Sequence, residues 1–429
     1  MELLSTDRLT TEFCVSLAAG LANQPITQEA AVTAFWGRYI FNKTLRCPQA
    51  GCALALLDWP ADPTKGTMAD LEAQPTCTSF RLSDSGWDNK TALGYFRSDW
   101  RQSNCADWNR KARPGLDCSP RSSDDQPTWL AFKGGNGQAN HNDLDAGTFV
   151  FEMAGHRWAV DLGSDSYGLK NYFSKSASHG SRYSYYRKSS RGHNTLTFNG
   201  VDEWPGWCSQ SMAVSEITHF NCSTQRGSGL SGDDYAEGPH AIIDLTPAYA
   251  TAGGPKPPQP ATTKVQRGFT IIQNFSRIVV RDEWTAPGAD NVTWAMHFFA
   301  DETKAVVSAD GRTATLTAVT DLGLGAVHTQ TAAATITAAL EQPSTSTVRF
   351  EVVTPDIISS GPLITGSPAG HLRKLIVVLD PKQESTLQVS FAKLGTPGLP
   401  ATAVNPLADW AQLGAVDPAA VARAGATRQ

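Results

Sequence analysis

Positions 141 to 145 read HNDLD, placing His141, Asp143 and Asp145 at alternate residues directly ahead of the apolar run TFVFEM. In an extended segment alternate side chains face the same side. One imidazole and two carboxylates on one face suit a metal shell or acid–base chemistry, or else they are a costly burial of charge. Two more polar residues mark later runs. Asp161 lies in RWAVDLG between Val160 and Leu162, which face the opposite way, and His193 opens GHNTLTF ahead of Leu196 and Phe198. Asp161 and His193 on neighbouring strands, joined by a third ligand, would bind Zn²⁺ in tetrahedral geometry. The same two residues would equally make a buried hydrogen-bonded pair, with Asp143 and Asp145 in a turn. Spacing leaves both readings open.

The elements that must hold these residues change character along the chain. Residues 1 to about 60 read as helical: TQEAAVTAFWGRYIFNK offers Thr27 as an N-cap and Ala31, Ala34, Phe35 and Ile40 at helical spacing. From Asp58 to Pro127 the chain is rich in Asp, Ser, Pro, Gly and Cys, which predicts ordered loops pinned by disulfides, with ALGYFRSDWR as a short strand or turn. After Gln126 the runs TWLAFK, TFVFEM, RWAVDL, NTLTF, FTIIQ, RIVVRDEW, VTWAMHFF, TATLTAV, VRFEVV, LRKLIVVLD and TLQVSF are β-branched and aromatic, separated by Gly, Pro, Asn and Asp. That texture predicts a large antiparallel β-sandwich over 126–415, followed by a flexible tail over 416–429. TAGGPKPPQPATTK reads as a loop within it.

Composition narrows the function classes. The 429 residues are 41% hydrophobic and 18% charged with a formal net charge of −5, those of a folded protein with no basic stripe for nucleic acid. The longest apolar runs, CVSLAAGLA and CALALL, fall short of a membrane span. GGNGQAN lacks the third glycine of a dinucleotide loop and precedes a strand; G-x-S-x-G is absent; HNDLD lacks the spacing of a calcium loop. Six of the eight cysteines fall in the first 118 residues without any C-x-x-C. Together with sequons at Asn42, Asn89, Asn221, Asn274 and Asn291, they predict disulfides and a secreted or cell-envelope protein, although no signal peptide is visible.

HNDLDAGTFVFEMAGHRWAVDLGSDSYG followed by YYRKSSRGHNTLTFNG resembles the heparinase II/III-like C-terminal region of polysaccharide lyases, through the combination H-x-x-x-D-x-G, D-x-G and R-x-x-x-x-G-H-N-T-L. The resemblance implies a sandwich joined to an (α/α) toroid. Residues 1–125 would be its disulfide-pinned helical end, a short remnant ahead of the sandwich. It implies β-elimination on an acidic, uronate-containing polysaccharide such as heparan sulfate, heparin or alginate. By resemblance, His141 matches a histidine lining the cleft, and Asp143, Asp161 and His193 match the three ligands of a zinc site. Family members usually have histidine where this chain has Asp143, so Ca²⁺ or Mn²⁺ would also suit the set.

Elimination needs the uronate carboxylate neutralised, a base for the C5 proton and a proton for the leaving oxygen. In the resembled enzymes a tyrosine with Asn and His from the toroid does much of this. This chain has no histidine before His141 and only Tyr39 and Tyr95 as upstream tyrosines. The expectation is therefore a chain that begins near the toroid's end. Tyr172 in LKNYFSK is the candidate sandwich tyrosine, with Tyr167, Tyr183, Tyr185 and Tyr186 as competitors. Arg182, Arg187, Lys188 and Arg191, all close to His193, are read as an anion-binding edge or a solvated loop. The alternative to a lyase is a non-catalytic carbohydrate-binding or structural sandwich stabilised by its metal.

Overall fold

The structure is a computed structural model that describes residues 77–84, 87–98, 127–137, 139, 142–163, 165–173, 181–198, 210, 213–222, 238–250, 264–287, 289–319, 334–344, 347–355, 371–399 and 405–411. His141, the helical segment expected before residue 60, the Pro-rich loop, the tail and six of the eight cysteines lie outside the described residues.

The first five strands are β1 (Cys77–Asp84), β2 (Trp87–Arg97), β3 (Trp129–Lys133), β4 (Phe149–Met153) and β5 (His156–Ala159). They lie side by side in chain order as one antiparallel sheet. The chain continues through β6 (Leu196–Phe198), β7 (Glu216–Asn221), β8 (His240–Asp244), β9 (Lys264–Ile272), β10 (Arg277–Thr285) and β11 (Val292–Phe299). It then forms β12 (Thr303–Val307), β13 (Thr313–Ala318), β14 (Thr335–Gln342), β15 (Phe350–Val353), β16 (Leu372–Leu379) and β17 (Thr386–Lys393). An eight-stranded sheet runs β12-β13-β14-β17-β10-β9-β8-β7, and a four-stranded one β15-β16-β11-β6. The chain is thus mainly β and built of antiparallel sheets, as its texture predicts.

All eleven β-rich runs named from the sequence contain a strand. The expected boundary at 125/126 falls inside the first sheet, because β1 and β2 pair onto β3 from the N-terminal side. ALGYFRSDWR contributes to β2, which extends further back, to Trp87.

One core joins the three sheets. Phe149 of β4 lies 5.8 Å from Phe269 of β9 and 6.2 Å from Trp294 of β11, ring centre to ring centre. Phe132 stacks on Phe269 at 4.7 Å, and Phe151 meets Phe391 of β17 at the same spacing. Each such ring contributes about 1.5–3 kcal/mol by leaving water. A short helix α1 (Thr246–Ala250) follows β8 and turns Ala248 and Tyr249 into this core, where Tyr249 meets Phe198 of β6. A second helix, α2 (Leu407–Trp410), packs Leu407 and Trp410 over a separate cluster of Ile242, Ile272 and Val279. Gly268 permits that approach, since a Cβ there would meet the Trp410 ring at 2.8 Å.

A disulfide joins Cys77 at the start of β1 to Cys222 just after β7, with Cα atoms 5.5 Å apart. It ties the first sheet to the edge of the second across 145 residues of sequence. In the chain-entropy account such a closure contributes about 5 kcal/mol.

Inside, Arg267 of β9 donates from Nε and Nη2 to both carboxylate oxygens of Asp282, its directly opposite residue on β10, at 2.7 and 2.9 Å. Its Nη1 donates to the Gly147 and Asn194 carbonyl oxygens at 2.8 and 2.9 Å. Both side chains are fully buried. Arg267→Met is therefore expected to cost about 3–5 kcal/mol in denaturant unfolding, because Asp282 is left buried without its partner. Adding Asp282→Leu should recover part of that loss, short of the two orphaned carbonyls. Peptide mapping without reductant should recover Cys77 and Cys222 in one cross-linked peptide.

Candidate functional site

The segment from Asn142 to Thr148 is a loop, so the alternate carboxylates are not aimed at one ligand as an extended chain would aim them. Thr148 N–H donates to the Asp145 carbonyl at 2.9 Å and Gly147 turns the chain with φ +80°, feeding it into β4. Asp143 pairs with Lys188 at 2.6 Å and Asp145 with Lys133 at 2.8 Å, all four side chains buried. Burial alone would push both carboxyls up, but the neighbouring positive charges, Lys188 and His193 at Asp143 and Lys133 and His193 at Asp145, together outweigh it. Asp145 is held well below the usual carboxylate range, and Asp143 is lowered by Lys188 and His193.

The loop is stapled to residues 182–188. Arg182 Nη2 donates to the Asn142 carbonyl at 2.7 Å, Tyr183 O–H to Asn142 Oδ1 at 3.0 Å, and Leu144 N–H to the Lys188 carbonyl at 3.1 Å. The expectation of an anion-binding edge or solvated loop is overturned for three of its four cations. Arg182, Arg187 and Lys188 are buried, because they answer the charges and carbonyls of the loop, and Arg191 is half-buried.

Asp161 and His193 do meet, with Asp161 Oδ2 3.2 Å from His193 Nδ1. His193 Nε2 lies 2.9 Å from the Arg187 carbonyl oxygen, which can only accept, so that nitrogen carries a proton. Asp161 also accepts the Gly163 N–H at 2.9 Å. Burial would raise the Asp161 carboxyl; the bonds from His193 and Gly163 help draw it well below the usual range.

The two residues after His193 are cross-links that sequence reasoning did not single out. Asn194 Nδ2 donates to the Phe149 and Val160 carbonyls at 2.8 and 2.9 Å, and its Oδ1 accepts from His297 N–H and Nδ1 at 2.7 and 2.9 Å. Burial holds His297 well below its usual range, hence neutral, so its Nε2 accepts the Tyr186 O–H at 2.7 Å. Thr195 Oγ1 donates to the Ala146 carbonyl at 2.6 Å. The only sequence signal for these roles was their adjacency to His193 in GHNT.

Of the candidate tyrosines, Tyr183, Tyr185 and Tyr186 spend their hydroxyls on Asn142, the Lys170 carbonyl and His297. Tyr172 is 1% exposed and lies beneath Tyr167 and Phe173, which are 38% and 51% exposed. The Lys188 ammonium is 5.1 Å from the Tyr172 ring centre and the Arg182 guanidinium 5.6 Å. Burial pushes the phenol up while Lys188 opposes the rise. The structure thus gathers Tyr172, Lys188 and Asp143, with Asp161 and His193 as a separate pair close by.

Among the described residues no three His, Cys, Asp or Glu side chains are gathered as a metal would need. Asp143 is committed to Lys188 and His193 has a partner at each ring nitrogen, so Asp143, Asp161 and His193 do not fit a three-ligand site as arranged.

Comparison with known proteins settles the lineage. The model of the heparinase II/III-like C-terminal family matches residues 121–363, more than half of the chain. The chain belongs to the heparinase II/III-like family. Among solved structures it is similar to the heparan sulfate lyase HepC of Pedobacter heparinus, at 13% identity and TM-score 0.46, over 86% of this chain and 42% of that one. It is also similar to a heparinase III, at 13% identity and TM-score 0.44, over 78% and 38%. It spans less than half the length of either. No curated protein matches the chain.

The charge pairing of this heparinase II/III-like loop carries a sign prediction. Asp145 is depressed, so it contributes stability that is present above the unfolded carboxylate value near ~4 and lost as pH falls toward its lower folded value. In Lys133→Met the strongest opposition to burial is gone and Asp145 is raised, so the slope reverses and stability falls as pH climbs above ~4. Urea unfolding of both proteins from pH 3 to 7 checks this, with about 3–5 kcal/mol between them at neutral pH.

Proposed function

We propose that this chain is the sandwich part of a polysaccharide lyase that cleaves an acidic, uronate-containing polysaccharide by β-elimination. Membership of the heparinase II/III-like family carries the reading, and the grouping of Tyr172 with buried cations supports it. In the reaction the C5 proton is removed, the C4–O bond breaks, a C4–C5 double bond forms and the departing oxygen takes a proton. Tyr172, which burial keeps protonated, is assigned to protonating that oxygen, and His141, by the family resemblance alone, to the catalytic cleft. Heparan sulfate, heparin and alginate are the substrates to test. The Cys77–Cys222 bridge supports action outside the cytoplasm. Among the described residues no helix is long and apolar enough to cross a membrane.

One observation favours a second reading, a non-catalytic carbohydrate-binding sandwich: the Tyr172 side chain is almost fully covered. The protein encoded by the full reading frame decides between them. Incubated with each polymer, it is expected to release products with the ultraviolet absorbance of an unsaturated uronate. Tyr172→Phe should lower kcat about 10²–10⁴-fold with the melting temperature little changed. Binding of a uronate polymer without any product would establish the second reading.

A further inference from the structure

Asp143, Asp145, Asp161 and Asp165 are four carboxylates withdrawn from water within one stretch of loop and strand end. Four basic side chains are buried with them: Lys133, Arg182, Arg187 and Lys188. Lys133 and Lys188 touch Asp145 and Asp143, and Arg187 lies within the fields of Asp165, Asp161 and Asp143. Charge in this region is balanced by the protein's own residues before His193 is considered. A divalent ion added between Asp143 and His193 would meet Lys188 at contact with the first, and would have to displace Asp161 or the Arg187 carbonyl from the second.

We propose that Lys188 takes the place of the divalent ion that the family resemblance implies: its ammonium, seated on Asp143 beside the Tyr172 ring, is the cation that binds this loop to the strand ends. The inference does not depend on the lyase reading, since it concerns what holds the loop together. It exchanges a dissociable ligand for a covalently attached one, so the site is complete as soon as the chain folds. It also explains why Asp143 is compatible with this chain where a histidine would serve a metal: a carboxylate matches an ammonium, and a neutral imidazole does not.

Elemental analysis of the purified full chain after dialysis tests this directly, with zinc, calcium and manganese each expected far below one per chain. The melting temperature should be the same with and without EDTA. Lys188→Met should lower it by on the order of 10 °C, and adding Asp143→Leu should recover much of that loss, because the two removals act on one contact. If Lys188→Met does not fold, the wild-type metal content and EDTA response still decide. About one tightly bound divalent ion per chain, with a melting temperature that falls on chelation, overturns the proposal. So do losses from Lys188→Met and Asp143→Leu that simply add.

Discussion

The guanidinium of Arg267 is the point at which sheet and site become one object. A side chain on β9 neutralises Asp282 on β10 and in the same plane holds the carbonyls of Gly147 and Asn194. Gly147 ends the loop that carries Asp143 and Asp145; Asn194 follows His193. Two segments 47 positions apart in sequence are thereby fixed against the middle of the eight-stranded sheet. A planar fork with five donors can do this, whereas a lysine could not reach all three acceptors in fixed geometry.

From that anchor the rest follows by the rule that a buried polar group must be matched. Asn194 uses both amide protons and both lone-pair directions of its oxygen, and so joins β4, the end of β5 and β11. It also fixes the tautomer of His297, which in turn orients Tyr186. The loop charges obey the same rule in ionic form. Buried pairs of this sort add little net stability compared with an apolar core, yet breaking one is costly, so they specify a single arrangement of the loop.

Much of the fold was legible because β-branched and aromatic runs declare themselves. The strands that were missed are informative. β14, TITAALEQ, alternates correctly between buried and half-buried, but does so with Ala, Thr and Leu, whose pattern also suits a helix. β12, TKAVV, is short and lies at a sheet edge, β7, EITHFN, mixes Glu, His and Asn with its apolar residues, and β8, HAIID, is only five residues long between His and Asp. In each case pairing with a stronger neighbour, rather than local preference, makes the strand. The same limit governed the site. Asp161 and His193 were visible as carriers of chemistry, and one of the two readings left open for them, a hydrogen-bonded pair, is the arrangement observed. Lys133 and Lys188 were not visible as partners, because a lysine in a basic or polar run looks solvated until the tertiary structure removes the water.

The alternation of Asp143 and Asp145 thus has an answer in electrostatics rather than in strand geometry. In water each carboxylate would be indifferent to its neighbour's partner; under the sandwich, desolvation makes every charge seek its own counter-ion. Asp145 turns toward β3 and Asp143 toward the segment before β6, so the loop between them is pulled from two sides and cannot slide along either. Tyr172 is held against the cations beside it, while Tyr167 and Phe173, which pack on it, remain exposed.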